Sequence, residues 1–164
     1  MRKVTLAFSA LVAAAVLAAF TIPTRMTAAP APQAVALDDA AIVAIFDLTN
    51  TADIETGGLA AKPSDSKEVR DYGKMLSDVH TAVRKQGRDL AAKLGVTPVL
   101  PKDDTSARDH AAVMARLSKL HGADFDRAFL EHEEAFHAAV LAAVKSTLLP
   151  AISNQELKDF VVSL

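Results

Sequence analysis

The sequence contains no cysteine and no tryptophan, and few aromatic residues of any kind among its 164 residues. The absence of cysteine excludes disulfide bonds, thiolate metal ligands, a catalytic cysteine and the lipid-modified cysteine of a lipoprotein. Glycine and proline are also scarce and lie mostly between stretches of periodic apolar residues, while alanine and leucine are abundant. This composition is typical of helices joined by short turns, and the length suits one domain.

The charge balance gives no sign of a polyanion-binding surface. The formal net charge is -2, and three of the basic residues, Arg2, Lys3 and Arg25, lie in a first segment that contains no acidic residue. The remainder of the chain is therefore more acidic than the total indicates. We expect no nucleic-acid partner and no basic membrane-binding surface in the domain.

The first 36 residues have the pattern of a targeting segment. A positively charged start, Met1 to Lys3, precedes an apolar run that continues to Phe20 and is ended by Pro23. This pattern is typical of a secretory signal peptide, and predicts a periplasmic or secreted protein. The run is also long enough, at about 1.5 Å per residue, to cross a bilayer, so an uncleaved inner-membrane anchor is the alternative. Alanines and prolines then form a linker up to residue 36.

Residues 37–164 show the periodicity of amphipathic helices, and we predict an all-α domain: an up-and-down four-helix bundle with a short additional helix. The expected helices cover residues 38–61, 65–94, 106–121, 124–149 and 153–164. Asp65 with Glu68 is predicted to cap the second, and Gly95, Gly122 and Pro150 are predicted to end three of them. Gly57 and Gly58 weaken the first by about 2 kcal/mol of helix propensity. Because no stop signal precedes Leu164, we expect the natural domain to continue further.

One segment, residues 131–137 (EHEEAFH), is chemically suggestive. On a helical wheel Glu133 falls within the apolar stripe and His137 at its border, whereas Glu134 points the other way. The spacing of Glu134 and His137 matches the Glu-x-x-His motif of di-iron bundles, but that motif needs both side chains inside and a second copy elsewhere. The sequence has no second copy. This argues against a di-iron centre.

A single metal ion is the alternative for this segment. Glu133 and His137, four residues apart, could share an ion with His80 of the second helix and Glu55 or Asp53 of the first. Imidazole and carboxylate ligands suit zinc, iron or manganese. The interpretation we favour is that these groups are hydrogen-bonded neighbours at the border of the bundle, without any metal.

Several stretches, taken together, resemble the bacterial domain of unknown function family 4142. They are residues 53–60 (DIETGGLA), 72–81 (YGKMLSDVHT), 122–129 (GADFDRAF) and 131–133 (EHE). The resemblance implies an exported protein with a ferritin-like bundle, and it implies no activity. In one departure from the family pattern, Val79 separates Asp78 from His80, which turns the histidine by about 100° from the usual position.

The sequence contains no complete catalytic constellation. No serine and histidine pattern offers a nucleophile with its base, and no glycine-rich loop follows a strand to hold phosphate. We therefore predict no catalytic residue and favour a non-enzymatic envelope or stress-related role, with an envelope protein or a second copy as partner. The alternatives are a metal-binding bundle and a membrane-tethered interaction module.

Overall fold

A computed structural model describes residues 37–164, and these form helices with no β-strand. The helices are α1 (Asp39–Ala60), α2 (Lys67–Leu94), α3 (Ser106–Leu117), α4 (Gly122–Ala143), α5 (Leu149–Ala151) and α6 (Gln155–Val162). A π-helical turn, Val144–Leu148, joins α4 to α5. The all-α prediction is confirmed, and the arrangement is compatible with a four-helix bundle plus a short helix. The predicted signal peptide or anchor lies outside the described residues.

No helix between residues 37 and 164 is both long enough and apolar enough to cross a membrane.

Helices α1 and α2 form an antiparallel hairpin with an unusually close crossing. The contact between them is so tight that a Cβ atom on Gly57 would lie 2.4 Å from the carbonyl oxygen of Gly73. A Cβ atom on Gly73 would lie 2.6 Å from the Cβ of Ala60. Gly57, which helix propensity marks as a weak point, is therefore the residue that lets the two backbones approach. Its neighbour Gly58 faces open space.

The helix ends follow local capping chemistry, with small errors in the predicted boundaries. Gly95 ends α2 with φ of 68°, as expected of a left-handed C-terminal cap. Ser66, rather than the predicted Asp65, caps the start of α2: its hydroxyl accepts a hydrogen bond from the backbone N–H of Val69 at 3.3 Å. Asn154 caps α6 in the same way through the N–H of Leu157, at 3.0 Å. The capping residue of α2 thus lies one position after the predicted one.

Two predicted stop signals are wrong. Gly122 opens α4 instead of ending α3, and its N–H donates to the carbonyl of Pro63 at 2.7 Å, which ties the start of α4 to the α1–α2 connection. Pro150 does not end α4, because the π-helical turn resets the hydrogen-bond register before it. The proline then falls in the first turn of α5, where a missing N–H costs nothing.

The interior contains two apolar clusters, at opposite ends of α1. One contains Ile42, Val43, Ala91, Ile152, Leu157 and Val161. The other contains Ala60, Val69, Leu76, Leu117, Phe125 and Phe129. Between them α1 and α4 bury four polar side chains, Asn50, Asp53, Thr56 and Glu133. A band of buried polar groups in the middle of a bundle needs partners, and this band positions the candidate site.

Candidate metal centre

Helices α1 and α4 supply the polar band, and each does so through its core-facing stripe. On α1, Asn50 and Asp53 are three residues apart and therefore share a face. On α4, Phe125, Phe129 and Glu133 follow at intervals of four, so the glutamate continues an apolar stripe into the polar band. The fold therefore forces Asp53 and Glu133 inside, where water cannot solvate them.

Asp53, His80 and His137 converge from α1, α2 and α4. The Asp53 Oδ2 atom lies 3.2 Å from Nδ1 of His80, and Oδ1 lies 3.8 Å from Nε2 of His137. One potential ligand atom of each residue lies within 4.8 Å of the other two. Asp53 is 2% exposed, whereas the side chains of His80 and His137 are 22% and 43% exposed. The cluster is therefore closed at the carboxylate and open towards solvent at His137.

Hydrogen bonds fix the orientation of both imidazole rings. Nδ1 of His137 donates to the backbone carbonyl of Glu133 at 2.8 Å, which leaves the lone pair on Nε2, facing Asp53. Nδ1 of His80 lies 2.9 Å from Oδ1 of Asn50, whose amide nitrogen donates to the carbonyl of Phe46 at 2.8 Å. The amide oxygen must accept, so this nitrogen of His80 carries the proton. Bonds of this kind orient the histidines of metal sites, although His80 needs a tautomer change to bind through Nδ1.

Three of the four carboxylate oxygens of Asp53 and Glu133 lack a hydrogen-bond partner in the described part of the chain. Within residues 37–164, Oδ1 of Asp53 and both side-chain oxygens of Glu133 are buried and accept no hydrogen bond. Nδ1 of His137 lies 3.7 Å from Oε2 of Glu133, but this nitrogen already donates to a backbone carbonyl. The hydroxyl of Thr56 likewise donates to the carbonyl of Ala52, at 3.0 Å. Burying such groups unpaired costs several kcal/mol, so native proteins rarely leave them so.

The ionisation of the band reflects this burial. Burial raises the pKa of Asp53 to about 7 and raises the pKa of Glu133 as well. Burial lowers the pKa of His80, and the neighbouring His137 lowers it further. Near neutral pH the imidazole of His80 is therefore neutral and Asp53 is partly protonated, while burial also favours the protonated form of Glu133. A bound divalent cation can replace those protons, because it favours the ionised carboxylate and the neutral imidazole together.

Of the site residues predicted from the sequence, three lie in the cluster and one lies outside it. His80, His137 and Glu133 lie together with Asp53, the residue considered beside Glu55 for the ligand from the first helix. Glu55 lies elsewhere: its side chain is 52% exposed and Oε2 is 2.7 Å from Nε2 of His110. Glu134 is exposed, as the helical wheel indicates. His80 faces the cluster even though Val79 shifts it from the family position.

Asn50 is the residue of this site that sequence reasoning missed. It lies three positions before Asp53 on the same helical face, so the spacing was available as a signal. An asparagine in that place has no chemistry of its own to attract attention. Its role, to hold the ring of His80, depends on a residue 30 positions away.

Two imidazoles and a carboxylate are a recognised set of metal ligands. Catalytic zinc sites use three protein ligands of this kind and leave a further position for water, and two histidines with one carboxylate also hold non-haem ferrous iron. Here the open side is at the half-exposed His137. The arrangement can therefore hold an ion that still binds a small exogenous ligand.

The model of a protein family described as domain of unknown function (DUF4142) matches residues 24–164. Comparisons with curated proteins and with solved structures found no match to this chain. The family description names no activity. The matched region covers all the helices and every residue of the polar band, and the chain belongs to the DUF4142 family.

Proposed function

We propose that the domain is a metal-binding helical bundle that holds one divalent transition-metal ion through Asp53, His80 and His137. A single observation carries the proposal: among residues 37–164, Oδ1 of Asp53 and both side-chain oxygens of Glu133 are buried without a hydrogen-bond partner, yet two imidazoles lie beside them. A bound cation supplies the positive charge that balances these buried carboxylates. Glu133 adds negative charge next to His137 and strengthens the attraction for the ion.

The donor atoms favour some metals over others. Two nitrogen ligands select against magnesium and calcium, which prefer oxygen, and the chain has no thiolate to favour copper(I). Zinc and ferrous iron suit two imidazoles with a carboxylate best, and manganese follows. The proposal is therefore tested with these three ions, ferrous iron under anaerobic conditions.

Zinc is expected to bind the metal-free, full-length protein at close to one ion per chain and to raise its melting temperature. At a free zinc concentration 100 times the Kd, binding stabilises the native state by about 2.7 kcal/mol. For a domain of this size, that corresponds to roughly 5–10 °C. Elemental analysis after gel filtration gives the stoichiometry, and calorimetry gives the shift.

The matched variants are His137→Ala and His121→Ala. His137 lies in the cluster, whereas His121 is exposed at the start of α4 and contacts none of the cluster residues. We expect the first to weaken zinc binding by tenfold or more and the second to leave it unchanged. Equal stoichiometry and equal melting shifts in both variants would show that zinc binds elsewhere, and no shift in the wild type would refute the proposal.

We also infer that the domain works outside the cytoplasm, either in the periplasm or secreted. The support is the charged and apolar pattern of residues 1–20 alone. Mass spectrometry of the protein from its native host tests this: a chain that begins after cleavage near residue 28 or 36 supports export, and an intact N-terminus refutes cleavage. A ferritin-like relationship and an envelope partner remain predictions from the sequence.

A further inference from the structure

A groove of about 450 Å³ lies between α1, α2 and the connector that follows α2. It contains none of the residues of the metal centre. Its apolar walls are formed by Val43, Ala44, Phe46, Leu48, Pro98 and Leu100. The connector is held against α1 by a hydrogen bond from the N–H of Val99 to the carbonyl of Ala40, at 3.2 Å. This volume falls within the range of sites for small organic ligands.

The groove is preformed on its inner side. The ring of Phe46 packs edge-on against Phe160, with centroids 5.6 Å apart, and rests on Gly87. A Cβ atom at position 87 would lie 2.9 Å from the ring, so the glycine makes room for it. Because Phe46 packs between Phe160 and Gly87, its ring does not turn into the groove. An apolar ligand could therefore pack against the ring without a rearrangement.

One edge of the groove carries an unbalanced positive charge. Arg88 forms a two-point ion pair with Asp47, which neutralises both. Arg84 has no acidic partner among residues 37–164; its Nη1 donates to the hydroxyl oxygen of Thr51 at 3.0 Å. That hydroxyl donates in turn to the carbonyl of Asp47, at 2.7 Å. The chain of hydrogen bonds fixes the guanidinium and leaves its remaining N–H groups available.

We propose that this groove binds a medium-chain fatty acid, with the carboxylate on Arg84 and the alkyl chain against the apolar walls. A guanidinium binds a carboxylate through paired, charge-assisted hydrogen bonds. Arg84 carries the one charge of this lining that no group of residues 37–164 neutralises. An uncharged apolar molecule would leave the charge of Arg84 unpaired. A hydrophilic anion would leave the apolar walls exposed to water. The combination of the two features selects a molecule that carries both.

The test is to titrate the full-length protein with octanoate and, separately, with octan-1-ol, and to monitor binding by calorimetry or by NMR. We expect saturable binding of one octanoate per chain, and binding of the alcohol at least tenfold weaker. Equal affinity for acid and alcohol, or no saturable binding of octanoate, would overturn the proposal.

Two variants locate the binding. Arg84→Gln is expected to weaken octanoate binding about tenfold or more, while Lys85→Gln, which removes the same charge from an exposed neighbour paired with Asp89, leaves it unchanged. Leu100→Glu changes an exposed wall residue, so it tests the groove even if Arg84→Gln folds poorly. It should also weaken octanoate binding, by at least as much as Arg84→Gln. Octanoate affinity that survives both Arg84→Gln and Leu100→Glu would place the ligand elsewhere.

Discussion

Gly57→Ala is expected to lower the free energy of unfolding by about 2–4 kcal/mol, and Gly73→Ala by a similar amount. The added methyl group meets backbone in the first case, the carbonyl oxygen of Gly73 at 2.4 Å. Backbone cannot rotate away as a side chain can, so the helices must separate. Their separation exposes the apolar cluster around Leu76 and strains the contacts of the polar band.

Gly58→Ala is the matched control, since it makes the same chemical change one residue away in the same helix. Apart from its own helical turn, nothing in residues 37–164 lies within 4 Å of a Cβ at that position. Relief of the low helix propensity of glycine should therefore stabilise the protein by up to about 1 kcal/mol. Urea denaturation of the metal-free proteins, monitored by circular dichroism, measures all three. If Gly57→Ala proves as stable as Gly58→Ala, the close crossing of α1 and α2 does not exist in solution.

These two adjacent glycines show what the sequence could and could not predict about the fold. The helices themselves were predictable, because their periodicity and caps are local properties of the chain. Propensity also correctly assigns a cost to each glycine. It cannot distinguish Gly57 from Gly58, however, because the compensating gain at Gly57 depends on Gly73, in another helix. Such differences arise only when two helices meet.

In the candidate site, too, some residues could be predicted from the sequence and others depend on how the helices pack. The helical wheel placed Glu133 inside and Glu134 outside, which the structure confirms. On α1, by contrast, Asp53 and Glu55 are two residues apart and point in directions about 200° apart. Which of them faces the histidines depends on the side of α1 that α2 and α4 cover. The pattern of α1 leaves this open, since its small and apolar residues extend around much of the helix.

The Asp53→Asn variant should make the metal-free protein more stable than the wild type at pH 8, by on the order of 2–4 kcal/mol. Burial raises the pKa of Asp53 to about 7, above the value of about 3.9 expected in the unfolded chain. The folded wild type therefore binds this proton more tightly, and loses stability as the pH rises from about 4 through 7. Asparagine has no such proton, so the variant escapes the loss.

The measurement is the free energy of unfolding of variant and wild type in chelator from pH 5 to 8, compared at each pH. The lowered pKa of His80 has the opposite effect, but it contributes to both proteins and largely cancels in the difference. Asp78→Asn is the control, because Asp78 is exposed and pairs only with Lys74 on the surface. We expect the free energy of unfolding of Asp78→Asn to differ from that of the wild type by less than about 0.5 kcal/mol at every pH.

Zinc should reverse the order of the two proteins. The wild type gains the binding free energy, whereas Asp53→Asn lacks the central carboxylate ligand and gains little. A substitution that stabilises the metal-free protein and abolishes its response to metal is the signature of a carboxylate retained for a ligand at a cost to folding. A variant less stable than the wild type at pH 8 in chelator would instead mean that Asp53 already has a stabilising partner. In that case the polar band would be a structural network that needs no metal ion.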